Sequence, residues 1–122
     1  MSRRPVRRLL VDIQERVDRI RRYTDGLDRT GFLVDDKTVD SVIRSLEIIG
    51  EAANRLPESF RQRHPEIPWR RIVGLRNRVI HGYFDVDLEL VWAIVQRELP
   101  NLHEAIGRLL EQDDPEFLEE PG

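Results

Sequence analysis

Apolar side chains recur at steps of three and four along almost the whole of this chain, and no segment alternates with period two. That pattern restricts the fold to amphipathic helices packed on one another. A first stripe runs Val6, Leu9, Leu10, Ile13, Val17, Ile20, with Pro5 tolerated in the opening turn and Gly26 and Gly31 as candidate stops. A second stripe runs Val39, Val42, Ile43, Leu46, Ile49, Ala53, Leu56. Asp35 or Asp36 can cap it, and Pro57 ends it. Residues 57–68 hold three of the seven prolines and read as a loop with one short turn around Ser59–Arg63. A third helix is expected over Trp69, Ile72, Val73, Leu75, Val79 and Ile80, closed by Gly82. Phe84–Asp87 reads as a connector, with Asp85 or Asp87 as the next cap. A fourth stripe then continues from Leu88 through Val91, Trp92, Val95, Leu99, Leu102 and Ile106 to Leu109 and Leu110, with Pro100 either kinking it or starting a new helix.

Short connections between long helices favour antiparallel neighbours. The expected fold is therefore all-α, an antiparallel up-and-down bundle of four to five helices. Residues 1–112 form one domain in this reading, and 113–122 an acidic, flexible C-terminal tail. The 122 residues suffice for a core without staples. The chain has no cysteine, which removes a disulfide framework, thiolate metal sites and a thiol nucleophile. No apolar run is long enough to span a membrane, and the arginine-rich start is broken by Asp12, unlike a signal peptide. A cytoplasmic location is expected.

The net charge of −3 argues against a general nucleic-acid coat, but its distribution is uneven. Residues 1–25 carry eight arginines against four acids, and residues 55–78 seven arginines against two. Residues 85–122 carry eleven acids against two arginines. Nineteen of the twenty cations are arginine, a side chain that grips phosphate through a planar fork but also serves as ordinary solvated surface. On the second helix, Gly50 costs about 1 kcal/mol relative to alanine, so close approach of another helix is expected there. Glu47, Glu51 and Asn54 form a polar stripe beside the apolar one.

The helical pattern and the local polarity disagree at Leu75–Asp87, LRNRVIHGYFDVD. Such conflicts mark functional positions. Cleaving a phosphodiester without a metal requires a group that exchanges protons near neutrality, and histidine is the side chain with an ordinary pKa, about 6.5, closest to that. His81 supplies it. It also requires a cation over the crowded anionic transition state, which Arg76 supplies. Asn77, Arg78 and Tyr83 are candidates to bind and orient substrate. With RNA the substrate's own 2′-hydroxyl can attack, so neither a protein nucleophile nor a cofactor or metal is needed. In a straight helix Arg76 and Tyr83 share a face, while Arg76 and His81 lie about 140° apart. The last two meet only if the helix ends early, if Arg76 reaches round, or if a second subunit completes the site. A homodimer with a cleft on its two-fold axis is the favoured solution. The plainer alternative is a histidine that caps a helix and a tyrosine that packs on the core.

The run RNRVIHGYFDVD, with Leu88 and Val91–Trp92 after it, resembles the R-x4-H-x-Y motif of HEPN-domain proteins of the HepT toxin type. SLEIIGEAANRL upstream, the lead-in PEIPWRRIVGLRN and the later Leu99–Pro100 resemble that family in the same order, so the likeness covers roughly Leu9 to Leu110. The resemblance implies a compact helical homodimer and a metal-independent endoribonuclease toxin, with Arg76 and His81 catalytic and Tyr83 a site residue. It also implies a partner: a small nucleotidyltransferase antitoxin of the MntA type, which silences the toxin by attaching AMP to Tyr83. A bulky anion at that position would block the cleft and repel RNA.

A rival reading is a non-catalytic helical module that docks on a nucleotidyltransferase and holds its nucleotide or substrate. Glu51 can support the site or simply pair with Arg55, one turn on. His64 and His103 lack ligand-like neighbours, so no metal site is proposed. Trp69 and Trp92 sit on apolar stripes, where core packing is expected.

Overall fold

A computed structural model describes residues 4–112. The bundle is all-α apart from one two-stranded ribbon, as the periodicity requires. Helix α1 (Val6–Thr24) buries the expected stripe from Val6 to Ile20 and packs along α3 (Asp36–Arg55). Each of these fully buried aliphatic side chains contributes about 1.5–3 kcal/mol. Between them lies a short helix that the pattern does not announce, α2 (Arg29–Leu33), capped by Asp28, which accepts from the Gly31 N–H at 2.7 Å. It seats Phe32 in the core beside Trp92. Of the two aspartates that could cap α3, Asp35 does so, accepting from Thr38 N–H at 3.1 Å.

The proline-rich loop contains α4 (Glu58–Arg63), which brings Phe60 against Trp69. Trp69 is buried, and its Nε1–H donates to the His64 carbonyl at 3.0 Å. Both tryptophans therefore serve packing. The third helix differs from expectation. It is two five-residue pieces, α5 (Trp69–Val73) and α6 (Leu75–Val79), interrupted at Gly74. Both lie across α3 at Gly50, where an added Cβ would stand 3.1 Å from the carbonyl oxygens of Ile72 and Val73. The close approach expected of Gly50 is thus an approach of backbone, which a side chain cannot share.

Helix α6 ends at Val79, three residues before Gly82. Ile80–Gly82 (β1) and Asp85–Val86 (β2) form an antiparallel ribbon with Tyr83 and Phe84 at its turn. Phe84–Asp87 is therefore half strand and not a plain connector. Asp87 caps α7 (Leu88–Ala93), accepting from Leu90 N–H at 3.0 Å. One π-helical turn, Ile94–Glu98, then leads into α8 (Leu99–Glu111). Pro100 lies in the first turn of α8. It has no N–H to donate to the preceding turn, and the wider π turn absorbs the mismatch. The start of a new helix is thus the outcome, within one continuous helical run. The expected tail, 113–122, lies outside the described residues.

Candidate active site

The site is built on the end of α6 and the ribbon after it. The register pairs Ile80 with Val86 and Gly82 with Asp85, so His81 is an extra residue on its strand. A bulge of this kind re-aims one side chain without breaking the pairing. The ribbon is tied to the helix by Asp87 N–H, which donates to the Val79 carbonyl at 2.7 Å. The His81 ring turns back over the helix end, with Nε2 2.9 Å from the Arg78 carbonyl oxygen. A carbonyl only accepts, so the ring engages it as Nε2–H. That sets the tautomer and leaves Nδ1, which makes no hydrogen bond among the described residues, as the nitrogen free to take a proton. The capping contact and the orienting contact are the same bond.

Arg76 and Arg78, two residues apart on α6, face different ways. Arg78 is half-buried and makes a bidentate pair with Glu98, at 2.9 and 2.8 Å. Arg71 adds a third contact to the same carboxylate at 3.4 Å. The hydrogen bond from Arg78 holds the Glu98 carboxyl below its ordinary value against the opposing effect of burial, and Glu98 raises Arg78 in return. Arg76 is exposed and has one loose partner, Glu47 Oε1, at 3.6 Å. An exposed pair of that length contributes little and yields readily to a stronger anion.

Beside Arg76 a shallow cleft of about 300 Å³ opens between α3 and the α5–α6 elbow. Arg76, Asn77, Glu47 and Glu51 line it, and Gly50 forms part of its floor. The structure therefore brings Arg76, Asn77 and Glu51 together. Glu51 also makes the expected pair with Arg55, at 2.9 Å. His81, Tyr83 and Arg78 do not line this cleft. Because α6 stops at Val79, Tyr83 does not share a helical face with Arg76, nor does it pack on the core. It is 93% exposed, as is Phe84, and the two rings meet edge to face at 4.7 Å. Residues that sequence reasoning passed over are Glu47 and Glu98, the partners of the two arginines. Glu47 is on the same polar stripe as Glu51, which was a usable signal. Glu98 lies twenty residues from Arg78 and carried none. His64 faces Glu66 and packs on Phe60, and His103 faces Asp18 at 2.9 Å.

Comparison with known proteins adds to this geometry. Residues 13–109 match the family described as Ribonuclease HepT-like. The chain is 44% identical over 93 residues to a probable ribonuclease HepT of Thermococcus cleftensis, covering 76% of this chain and 84% of that protein. It is 43% identical over 101 residues to a putative RNase of Methanocaldococcus jannaschii, covering 83% of this chain and 84% of that one. A second putative RNase of M. jannaschii is 39% identical over 106 residues, covering 87% and 97%. No solved structure matches the chain.

Proposed function

The chain belongs to the HepT-like ribonuclease family, and on that premise we propose that it is a metal-independent endoribonuclease, the toxin of a toxin–antitoxin pair. The observations that carry the reading are a loosely held Arg76 on one short helix and an oriented His81 on the strand that follows it. His81 Nδ1 takes the proton of the 2′-hydroxyl. That oxygen attacks the adjacent phosphorus, the bond to the 5′-oxygen breaks, and the departing oxygen takes up a proton. A cyclic phosphate and a free 5′-hydroxyl result. Arg76 releases Glu47 and stabilises the phosphorane, where charge is greatest. Asn77 positions the phosphate from the same cleft, and Glu51 supports Arg76 there. Arg78, engaged by Glu98, is the substrate contact that this arrangement supports least.

The active form in this reading is a homodimer. Neither His81 nor Tyr83 lines the Arg76 cleft within one protomer, and a second copy brings a second histidine to the scissile bond. One ring can then act as base and the other as acid. The partner is a nucleotidyltransferase of the MntA type. Tyr83 Oη attacks the α-phosphorus of ATP, pyrophosphate leaves, and AMP remains on the ring. The near-complete exposure of Tyr83 at a ribbon tip supports this, because an enzyme must enclose the residue that it modifies. Among the described residues no helix is long and apolar enough to cross a membrane, and a cytoplasmic location suits an RNA substrate.

Incubation with RNA in EDTA tests the reading. Wild type should cleave and His81→Ala should not, with both folded and dimeric. Intact RNA with the wild-type dimer would overturn the catalytic reading. It would leave the binding module that docks on the nucleotidyltransferase and holds its nucleotide or substrate. Intact mass after co-expression with the neighbouring gene product should show AMP on Tyr83 and none on Tyr83→Phe.

A further inference from the structure

A second groove, of about 360 Å³, runs between α1 and α3 on the far side of Glu51 from the Arg76 cleft. Arg8, Arg16 and Arg19 line it from α1, Arg4 from just before that helix, and Arg55 from α3. The α1 residues fall at the helical period, so one face of the helix presents them all. Acids are present too, and they divide the arginines into two kinds. Asp12 holds Arg4 at 3.4 Å and Arg8 at 3.1 Å, Glu15 holds Arg8 at 3.4 Å, and Glu51 holds Arg55 at 2.9 Å. Arg16 and Arg19 have no ion pair or hydrogen bond among the described residues. Arg16 is also half-buried, as Arg78 is, yet Arg78 has a bidentate carboxylate and Arg16 has no such partner among the described residues. A partly desolvated guanidinium without a counter-charge is unfavourable by itself and is relieved by an anion.

The groove is wrong for a protein partner. Of its apolar lining, Leu9 and Ala52 are buried and Ile48 is half-buried, so it offers one aliphatic side chain and no deep pocket for the anchor on which a protein interface depends. It suits a chain of phosphates, which guanidinium forks bind without an apolar anchor. Its position is equally pointed. Glu51 lines both the groove and the Arg76 cleft, and Glu47 to Arg55 spans about 12 Å of α3 at the helical rise. That is the length of a few nucleotides.

We propose that the α1–α3 groove is a second phosphate-binding site. It grips the backbone of the RNA strand through Arg16 and Arg19 a few nucleotides from the phosphate held at Arg76. The inference rests on the endoribonuclease reading for the identity of the strand, and on the unpaired arginines for the site. It makes the enzyme one that prefers substrates longer than a dinucleotide.

The test is fluorescence anisotropy with a labelled single-stranded RNA of about twelve nucleotides, a length in the usual range for such sites. The full chain carries His81→Ala so that the probe survives. Arg16→Gln/Arg19→Gln, which keeps the packing of the side-chain stems, should weaken binding about tenfold at low salt. It should also lower the slope of log affinity against log salt by about 1.4, the value for two lost phosphate contacts on a single strand. Arg97→Gln/Arg108→Gln removes the same charge away from the groove and should change neither. Equal effects of the two double variants would overturn the proposal, because net charge alone would then explain the binding. So would unchanged RNA binding accompanied by loss of a co-purifying acidic protein. The two readings separate cleanly. If the groove variant loses RNA binding but wild type never cleaves, the groove stands and the nuclease reading falls. If wild type cleaves and the groove variant binds RNA as before, the reverse holds.

Discussion

The two faces of α6 hold their arginines in opposite ways. On one, Arg78 is half-buried, doubly hydrogen-bonded to Glu98 and reinforced by Arg71. On the other, Arg76 stands exposed with Glu47 at 3.6 Å, over an open cleft. A five-residue helix has too few internal hydrogen bonds to hold itself, so something must anchor it. The Arg78 face is the anchor, and the Arg76 face is what it presents. His81 joins them, because its ring is bonded to the carbonyl of the anchored residue. The difference teaches that neighbouring residues of one motif need not share a role: one cation is committed to structure while the other is left loosely held over a cleft.

The comparison is broken most severely from the Arg76 face. Arg76→Ala should lower RNA cleavage by roughly 10²–10³, as loss of a transition-state donor does. Thermal unfolding should move little, since the pair removed is exposed and long. A large drop in melting temperature would show that Arg76 is an anchor after all. Gly50→Ala strikes beneath both faces. Helix propensity favours alanine, but the new Cβ meets two backbone carbonyls at 3.1 Å, and backbone cannot step aside as a side chain can. A net loss of about 1–3 kcal/mol is expected from overpacking, read in a urea titration. A stabilised variant would mean that the α3–α5 crossing relaxes freely.

Glu98→Ala tests the anchored face alone. It leaves Arg78 half-buried without its carboxylate and should cost about 1 kcal/mol, a low figure for a bidentate pair because water screens this one. Cleavage should fall with it only through His81, so kcat should change more than KM. The same pair predicts a pH dependence. The folded Glu98 carboxyl lies below its ordinary value of 4.5, so its contribution is complete above that value and is lost as pH falls through the lower folded one. The stability gap between wild type and Glu98→Gln should therefore narrow on acidification below about pH 4.5 and stay level above it. The smallest effect is expected away from α6. Ser45 is buried with no hydrogen-bond partner for its Oγ among the described residues, so Ser45→Ala should be neutral or stabilising by about 0.5–1 kcal/mol.

Much of this was legible beforehand. The stripes of α1, α3 and α8 survive intact because a long helix carries its period over many residues. The caps at Asp35 and Asp87 were each one of two candidates, and the choice needed the backbone. The ribbon at Ile80–Val86 was not legible, since two residues on either side of a turn are too few to show alternation. Only the β-branched Ile80 and Val86 flanking it hinted at strand. Arg76, Asn77 and Glu51 were each singled out, but their sharing a cleft without His81, Tyr83 and Arg78 was not legible, and neither was Glu98.

The sequence by itself determined the helical class, the positions of the long helices and the family, and it drew attention to Arg76, His81 and Tyr83. Those are properties of local order and residue type, which a linear pattern records. Tertiary structure alone decided that α6 stops at Val79, that a bulge aims His81 back at Arg78, and that Tyr83 stands clear of the core. It also decided which arginine is tied down and which is left exposed over the cleft. The hold on Arg78 depends on a carboxylate twenty residues on, and the α5 crossing on a glycine of another helix. The ribbon and the His81 contact depend on backbone geometry over a few residues, and neither kind of partner is specified by the local pattern.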